Sequence, residues 1–235
     1  MKLTTLPARS RGLAQMVAWL TIFNLAMAAL LQTPGSAAPP RPLEIVAFGD
    51  SLTAGYMLAQ PEAFPAQLQK ALAGKGHAVT VLNAGVSGDT TAAGLARFAW
   101  AVPDTADAVI LELGANDALR GIDPAVARAN LDKILAELGR RGIPVLLAGM
   151  KAPRNWGDDY AHAFDAMFSD LAQKHGTLLD PFFLEGIALD PKLNLGDGLH
   201  PNAEGVARIV ARILPLAEAL VQRAAARAKA SAARN

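Results

Sequence analysis

The chain has 235 residues, a length typical of one folded domain or of two small ones. Hydrophobic residues make up 52% of it and charged residues 18%, and its 20 glycines and 15 prolines follow no period, which excludes collagen-like and disordered chains. Because 22 Lys and Arg are balanced by 21 Asp and Glu, there is no positive excess to bind a nucleic-acid backbone. The absence of cysteine excludes disulfides, thiolate metal sites and a cysteine nucleophile.

The first 38 residues differ from the rest because they contain no Asp or Glu. Three basic residues precede a largely apolar stretch at 13–31, and small residues follow at 35–38. This order is typical of a secretory signal peptide, so we predict that residues 1–37 are a leader cleaved after Ala37, and that the protein is periplasmic or secreted. Its removal would change the formal net charge from +1 to −2. An uncleaved membrane anchor is the alternative, since the 19 residues of 13–31 are about the minimum that spans a bilayer.

Beyond the leader, apolar runs alternate with segments of helical periodicity. Runs without polar alternation suit strands buried on both faces of a parallel sheet, and they lie at 43–48, 78–82, 108–113, 143–148 and 177–179. Helices are predicted at 62–73, 90–101, 124–141, 159–175 and from 202 onward. The pattern predicts one α/β domain over residues 38–223, a three-layer α/β/α structure with a five-stranded, parallel, doubly wound sheet. The Ala-rich residues 224–235 are expected to form a solvated, fraying helix end.

Four segments carry candidate functional side chains, and each follows a predicted strand or precedes the last helix. They are Gly-Asp-Ser-Leu at 49–52, Asn-Ala-Gly-Val-Ser-Gly-Asp at 83–89, Gly-Ala-Asn-Asp at 114–117 and Asp-Gly-Leu-His at 197–200. Taken singly, each has a simpler interpretation, because a serine after a strand is often a helix cap, a glycine block a loop and an Asn-Asp pair a turn. Their chemistry becomes specific only in combination.

In this order the four segments resemble the blocks of the SGNH, or GDSL, hydrolases, and more narrowly the periplasmic acyl-CoA thioesterase/lysophospholipase and bacterial arylesterase group. The resemblance extends from about residue 43 to residue 210 and implies the flavodoxin-like fold of that family. It places the nucleophile on Ser51, the base on His200 and its orienting carboxylate on Asp197. The oxyanion-hole donors fall on the backbone N–H groups of Ser51 and Gly85 and on the side-chain amide of Asn116.

The resemblance implies a serine esterase that cleaves esters and thioesters through an acyl-enzyme. Aryl or short-to-medium acyl esters are the expected substrates, with lysophospholipids and acyl-CoA as further candidates. A carbohydrate O-deacetylase with the same residues is one alternative, and a non-catalytic secreted binding module is another. No His-Glu-x-x-His motif or other ligand spacing occurs, so we predict no metal and no cofactor. We expect a monomer that acts on small molecules and binds no nucleic acid.

A loop at 150–158 follows the fourth predicted strand, so we expect it to overhang the site and shape the acyl or alcohol pocket. Its Trp156 has a simpler alternative role as rigid packing.

Overall fold

The computed structural model describes residues 41–233, so the predicted leader lies outside the described residues. Five strands form one sheet in the order β2-β1-β3-β4-β5, with every neighbouring pair parallel. The strands are Leu43–Gly49 (β1), Val79–Gly85 (β2), Ala108–Glu112 (β3), Val145–Ala148 (β4) and Leu178–Asp180 (β5). The α-helices are Ser51–Ala54 (α1), Phe64–Gly74 (α2), Thr91–Ala101 (α3), Ala115–Leu119 (α4), Pro124–Arg140 (α5), Asp158–His175 (α6) and Ala203–Ala232 (α7). This strand order is the flavodoxin-like one, which confirms the predicted fold class.

The burial of the strands follows their place in the sheet. Every residue of β3 and β4 is buried, since these strands have a neighbour on both sides and helices on both faces. The edge strand β2 differs, with Val79 and Val81 buried and Thr80 and Leu82 exposed. Uninterrupted apolar runs therefore predicted the inner strands correctly, whereas one face of the edge strand is open to solvent.

Capping residues in the sequence indicated where some helices begin, and the structure confirms these helix starts. Before α5, the Asp123 carboxylate accepts a hydrogen bond from the Ala125 N–H at 2.8 Å, and Pro124 occupies the first turn, where no N–H is needed. Five apolar residues of α5 recur at helical spacing and are buried, namely Ala127, Leu131, Ile134, Leu135 and Leu138. Before α7, the Asn202 side chain accepts from the Gly205 N–H at 3.0 Å.

The end of α7 differs from the expectation of a solvated tail starting at residue 224. The helix is continuous to Ala232, and Ala224 is 1% exposed. The Arg227 guanidinium donates hydrogen bonds to the backbone carbonyls of Ala106 and Arg141. Ala224 and Arg227 thus pack against the domain, whereas residues 228–233 are exposed, as expected of a solvated helix end. The predicted boundary at residue 223 lies shortly before the packed part of the helix ends. Among residues 41–233, no helix is both long and apolar enough to cross a membrane.

Parallel strands bring their carboxyl ends to one edge of the sheet, and the register here places three of those ends level with one another. Gly49, the last residue of β1, is paired laterally with Gly85 of β2 and with Glu112 of β3. The segments that follow these residues are the three strand-end blocks identified in the sequence. The fold therefore gathers them above the middle of the sheet, at the switch point where ligands bind in open α/β sheets.

Candidate active site

Ser51 stands at the first position of the one-turn helix α1, directly after β1. The preceding residue, Asp50, caps this helix by accepting a hydrogen bond from the Leu52 N–H at 3.0 Å. Ser51 is therefore not the cap that a serine after a strand often is, and its hydroxyl is free for another partner. Its backbone N–H has no hydrogen-bond partner among the described residues, as expected for the first turn of a helix.

The Ser51 hydroxyl lies at the end of a hydrogen-bonded chain of three side chains. His200 Nε2 is 2.9 Å from Ser51 Oγ, and His200 Nδ1 is 2.6 Å from Asp197 Oδ2. The Tyr56 ring lies beside the imidazole, with ring centroids 4.5 Å apart, and limits the orientations open to it. Residues 149 positions apart in the sequence thus form the serine, imidazole and carboxylate arrangement that acyl transfer requires.

Asp197 and His200 are held by a tight turn before α7. The second carboxylate oxygen of Asp197 accepts from the N–H groups of His200 at 3.0 Å and of Leu199 at 2.9 Å. These backbone bonds, with the His200 side chain, lower the pKa of Asp197 to about 2. A bond from the Leu195 N–H to the His200 carbonyl, at 2.7 Å, closes the turn. Asp197 is therefore ionised near neutral pH and fixes the Nδ1 side of the imidazole.

Asn116 lies in α4, after β3, and its amide points toward the Ser51 segment. Its Nδ2 donates to the Asp89 carbonyl at 3.0 Å and to Asp50 Oδ2 at 3.3 Å. The second bond is long, so an oxyanion placed beside Ser51 would compete well for that hydrogen. The structure thus brings Asn116 together with Ser51, as the sequence blocks predicted.

The N–H of Gly85, which the sequence analysis expected to be an oxyanion-hole donor, already has a hydrogen-bond partner. This N–H donates to Asn83 Oδ1 at 3.0 Å, within the end of its own strand. A Cβ at this position would overlap the backbone of Thr53 and Ala54 in α1, so the glycine is required for close packing beneath the nucleophile segment.

The second glycine of the same block, Gly88, has a backbone N–H that is not engaged in this way. It precedes Asp89, whose carbonyl binds Asn116, and its N–H has no hydrogen-bond partner among residues 41–233. Its φ of +88° lies in the left-handed region that favours glycine. The sequence block offered two glycines three residues apart, and only the tertiary contacts distinguish them.

Glu112 is a buried acid that the sequence interpretation passed over, because it lies inside the apolar run of β3. It is 0% exposed and its Oε2 accepts from the Thr53 hydroxyl at 2.8 Å and from the Asp50 N–H at 3.3 Å. Burial raises the pKa of Asp50 to about 6, and burial with the nearby Asp50 charge raises the pKa of Glu112 well above its usual range. The signal in the sequence was a carboxylate in a strand predicted to be buried on both faces.

A cavity of about 310 Å³ opens beside Ser51 and His200. Most of its lining is apolar, from residues of five separate segments, including Leu119, Met150, Phe182, Leu184 and Leu189. Leu189 is 84% exposed and has a φ of +66°, so the chain presents this side chain at the rim in a conformation that leucine rarely adopts.

The loop after β4 contributes Lys151, Ala152 and Pro153 to the cavity wall. Trp156 instead packs away from it, because its Nε1–H donates to the Ala118 carbonyl at 2.8 Å and its ring covers Gly121. The alternative role of Trp156 as rigid packing is therefore the one the structure shows. Among the described residues, no group of three His, Asp or Glu side chains is arranged to hold a metal ion.

Comparisons with known proteins agree with this geometry. Residues 47–208 match the model of the GDSL-like Lipase/Acylhydrolase family. The chain is 39% identical to an arylesterase of Vibrio mimicus over 183 residues, which are 76% of this chain and 92% of that protein. It is 36% identical to esterase TesA of Pseudomonas aeruginosa over 178 residues, which are 75% of this chain and 89% of that one.

Solved structures of esterases are similar to this chain as well. The crystal structure of AlinE4, an SGNH-hydrolase family esterase, has 48% sequence identity and a TM-score of 0.66, with coverage of 78% of this chain and 99% of that one. The structure of TesA has a TM-score of 0.70 and 36% identity over 75% of this chain and 99% of that one. With its family model spanning the domain from β1 into α7, the chain belongs to the GDSL-like lipase/acylhydrolase family, that is, to the SGNH hydrolases.

Proposed function

We propose that this esterase forms an acyl-enzyme on Ser51, with His200 as general base and Asp197 as its orienting carboxylate. The observation that carries the proposal is the chain of hydrogen bonds from Ser51 through His200 to Asp197. His200 takes the Ser51 proton as Oγ attacks the carbonyl carbon, and it returns that proton to the departing alcohol or thiol. A water activated by the same imidazole then releases the acid and regenerates Ser51.

The oxyanion hole in this proposal consists of the Ser51 N–H, the Asn116 amide and the Gly88 N–H. Two of these agree with the sequence-based assignment, and Gly88 replaces Gly85 because the Gly85 N–H is already bonded to Asn83. Donors placed around the developing negative charge stabilise the transition state more than the bound ester, which is why they lower the barrier.

The lining of the cavity supports the proposed substrate class. Apolar walls and a leucine rim favour acyl chains and aryl groups, so we propose esters and thioesters with aryl or short-to-medium acyl groups as substrates. Lysophospholipid and acyl-CoA cleavage belong to the same chemistry. A carbohydrate deacetylase needs several side chains that bind sugar hydroxyls, and the mostly apolar walls give this alternative less support.

The decisive experiment compares catalytic efficiency across matched series of p-nitrophenyl esters, acyl-CoAs and lysophospholipids of increasing chain length, with acetylated sugars as the competing class. Fluorophosphonate labelling of the wild type and of Ser51→Ala tests the nucleophile directly. Well-folded protein that is not labelled would support the non-catalytic binding module, whereas a preference for acetylated sugars would support the deacetylase.

We also propose that the protein is exported, on the basis of the basic, apolar and small-residue order of its first 37 residues. Sequencing the N-terminus of protein recovered from the host should find Ala38. Soluble cytoplasmic protein that retains Met1 would contradict export.

A further inference from the structure

We propose that Glu112 is a positioning residue that acts as a neutral carboxylic acid, donating a hydrogen bond to Asp50 and thereby fixing the Ser51 segment and the Asn116 amide for catalysis. This inference rests on the proposed function of Ser51 and Asn116. Glu112 touches neither the cavity nor the reacting atoms, so its effect passes entirely through Asp50.

The first argument is the contact between the two carboxyl groups. Asp50 and Glu112 are both 0% exposed, and the Asp50 N–H donates to Glu112 Oε2 at 3.3 Å, which brings the two acidic residues side by side. Two ionised carboxylates have no hydrogen to share and repel each other, so one of the two must hold a proton. A single proton between them converts a buried repulsion into a charge-assisted hydrogen bond.

The second argument identifies Glu112 as the residue that holds the proton. Its Oε1 is buried and has no donor group beside it among the described residues, whereas Oε2 accepts from Thr53 and from the Asp50 N–H. A buried carboxylate oxygen that has no donor is destabilising, whereas a hydroxyl at that position is itself a donor. Asp50 has the opposite surroundings, since its carboxylate accepts from the Leu52 N–H and from the Asn116 amide.

The third argument is the charge of the surroundings, taken from every element packed around the pair. Arg97 of α3 is buried, but its guanidinium is engaged by Asp89 and the Gly49 carbonyl and not by Glu112. Asp117 of α4 is engaged by the N–H and hydroxyl of Thr91 at the start of α3. His200, which precedes α7, acts on Asp50 through space and favours the ionised form of that residue. The pattern favours one negative charge on Asp50 and none on Glu112.

The fourth argument is that the absence of a side chain at Gly49 leaves room for Glu112. A Cβ on Gly49 would lie 2.6 Å from Glu112 Oε2 and closer still to the Thr53 hydroxyl. The glycine of the Gly-Asp-Ser segment is thus needed for this acid to reach the turn that carries Ser51. Asp50 then connects Glu112 to both sides of the oxyanion hole, because it caps α1 and accepts from Asn116.

The test uses Glu112→Gln, which keeps a neutral donor of the same shape, and Glu112→Ala, which removes it. Glu112→Gln should keep kcat close to that of the wild type on a p-nitrophenyl ester. Glu112→Ala should lower kcat by about 10²-fold with little change in KM, since a small displacement of the Asn116 donor or Ser51 is enough for a loss of that size. Leu138→Ala, in the buried face of α5, is the control for loss of stability alone and should keep kcat.

The pH profile separates positioning from simple packing. Above the pH at which Glu112 ionises, the wild type should lose activity because the carboxylates of Asp50 and Glu112 repel each other and move apart. Glu112→Gln cannot ionise at this position, so its pH profile should lack this loss of activity at alkaline pH. A kcat in Glu112→Gln as low as in Glu112→Ala, or an unchanged alkaline limb, would overturn the proposal.

A direct measurement of the proton does not depend on activity or on the alanine variant folding. With glutamate labelled with ¹³C in its side-chain carboxyl, the infrared difference between the wild type and Glu112→Gln at neutral pH should show a protonated carboxylic acid band. A carboxylate band in its place would refute the inference even if Ser51 is the nucleophile. Conversely, wild-type protein that is not labelled by a fluorophosphonate would refute the proposed function and leave the infrared result standing.

Discussion

The hydrogen bonds from Ser51 through His200 to Asp197 predict that these residues act as one unit. Ser51→Ala and His200→Ala should each lower kcat by roughly 10⁶, or about 8 kcal/mol, because either change removes the attack by an activated hydroxyl. Asp197→Ala should cost less, roughly 10⁴, since the imidazole remains and only its orientation and the stabilisation of its charge are lost.

Asp197→Ala should also affect stability, because that carboxylate accepts two backbone N–H bonds as well as the imidazole. Bonds to a charged acceptor contribute about 1.5–3 kcal/mol when buried, and the partly exposed position reduces this to about 1–2 kcal/mol in total. For a domain of this size, the melting temperature should fall by roughly 2–8 °C. His200→Ala leaves both backbone bonds in place and should have a smaller effect.

The assay is single-turnover release of p-nitrophenol from an aryl ester, with circular dichroism to confirm the fold of each variant. A Ser51/His200 double variant should be hardly slower than either single one, because the second change removes a partner whose function is already lost. Losses that multiply in the double variant, or a normal rate in His200→Ala, would place the proton acceptor of Ser51 elsewhere and refute the reasoning.

Four further predictions concern residues outside this chain of hydrogen bonds or its behaviour in acid. Asn116→Ala should lower kcat by roughly 10²–10³ with little change in KM in steady-state assays, whereas a raised KM at constant kcat would make it a binding residue. Gly49→Ala should destabilise the fold by about 1–3 kcal/mol in denaturant titrations, because the added methyl group overlaps Thr53 and Glu112. Truncation after residue 223 should lower the melting temperature, whereas truncation after residue 232 should not, if α7 packs as described. The stabilisation from Asp197 is complete above the pKa of about 3.9 that it has in the unfolded chain, and it is lost as the pH falls through its folded pKa of about 2. The difference in unfolding free energy between the wild type and Asp197→Asn should therefore become smaller over that pH range.

Local patterns predicted the layout of the fold. Uninterrupted Val, Leu and Ile runs mark strands that have helices on both faces, and Asp123 with Pro124 marks a helix start, because each signal depends only on nearby residues. The end of α7 was predicted less well. Ala-rich sequence with scattered cations looks the same whether it frays in solvent or packs, and only the contacts of Ala224 and Arg227 with distant parts of the chain decide between the two.

For the candidate site, too, the sequence predicted some residues and the tertiary structure decided others. Ser51, Asn116, Asp197 and His200 lie in three of the four short blocks, and the resemblance of those blocks to a known family assigned their roles. Acyl transfer needs such groups close together, and the tertiary structure brings them to one site.

We propose Gly88 in place of Gly85 because every residue after a strand offers a backbone N–H, and which one is free depends on the hydrogen bonds around it. Glu112 was missed for a related reason. One acid in an apolar strand gives no indication of its partner, and only the lateral register of β1 and β3 places it against Asp50 beneath the nucleophile.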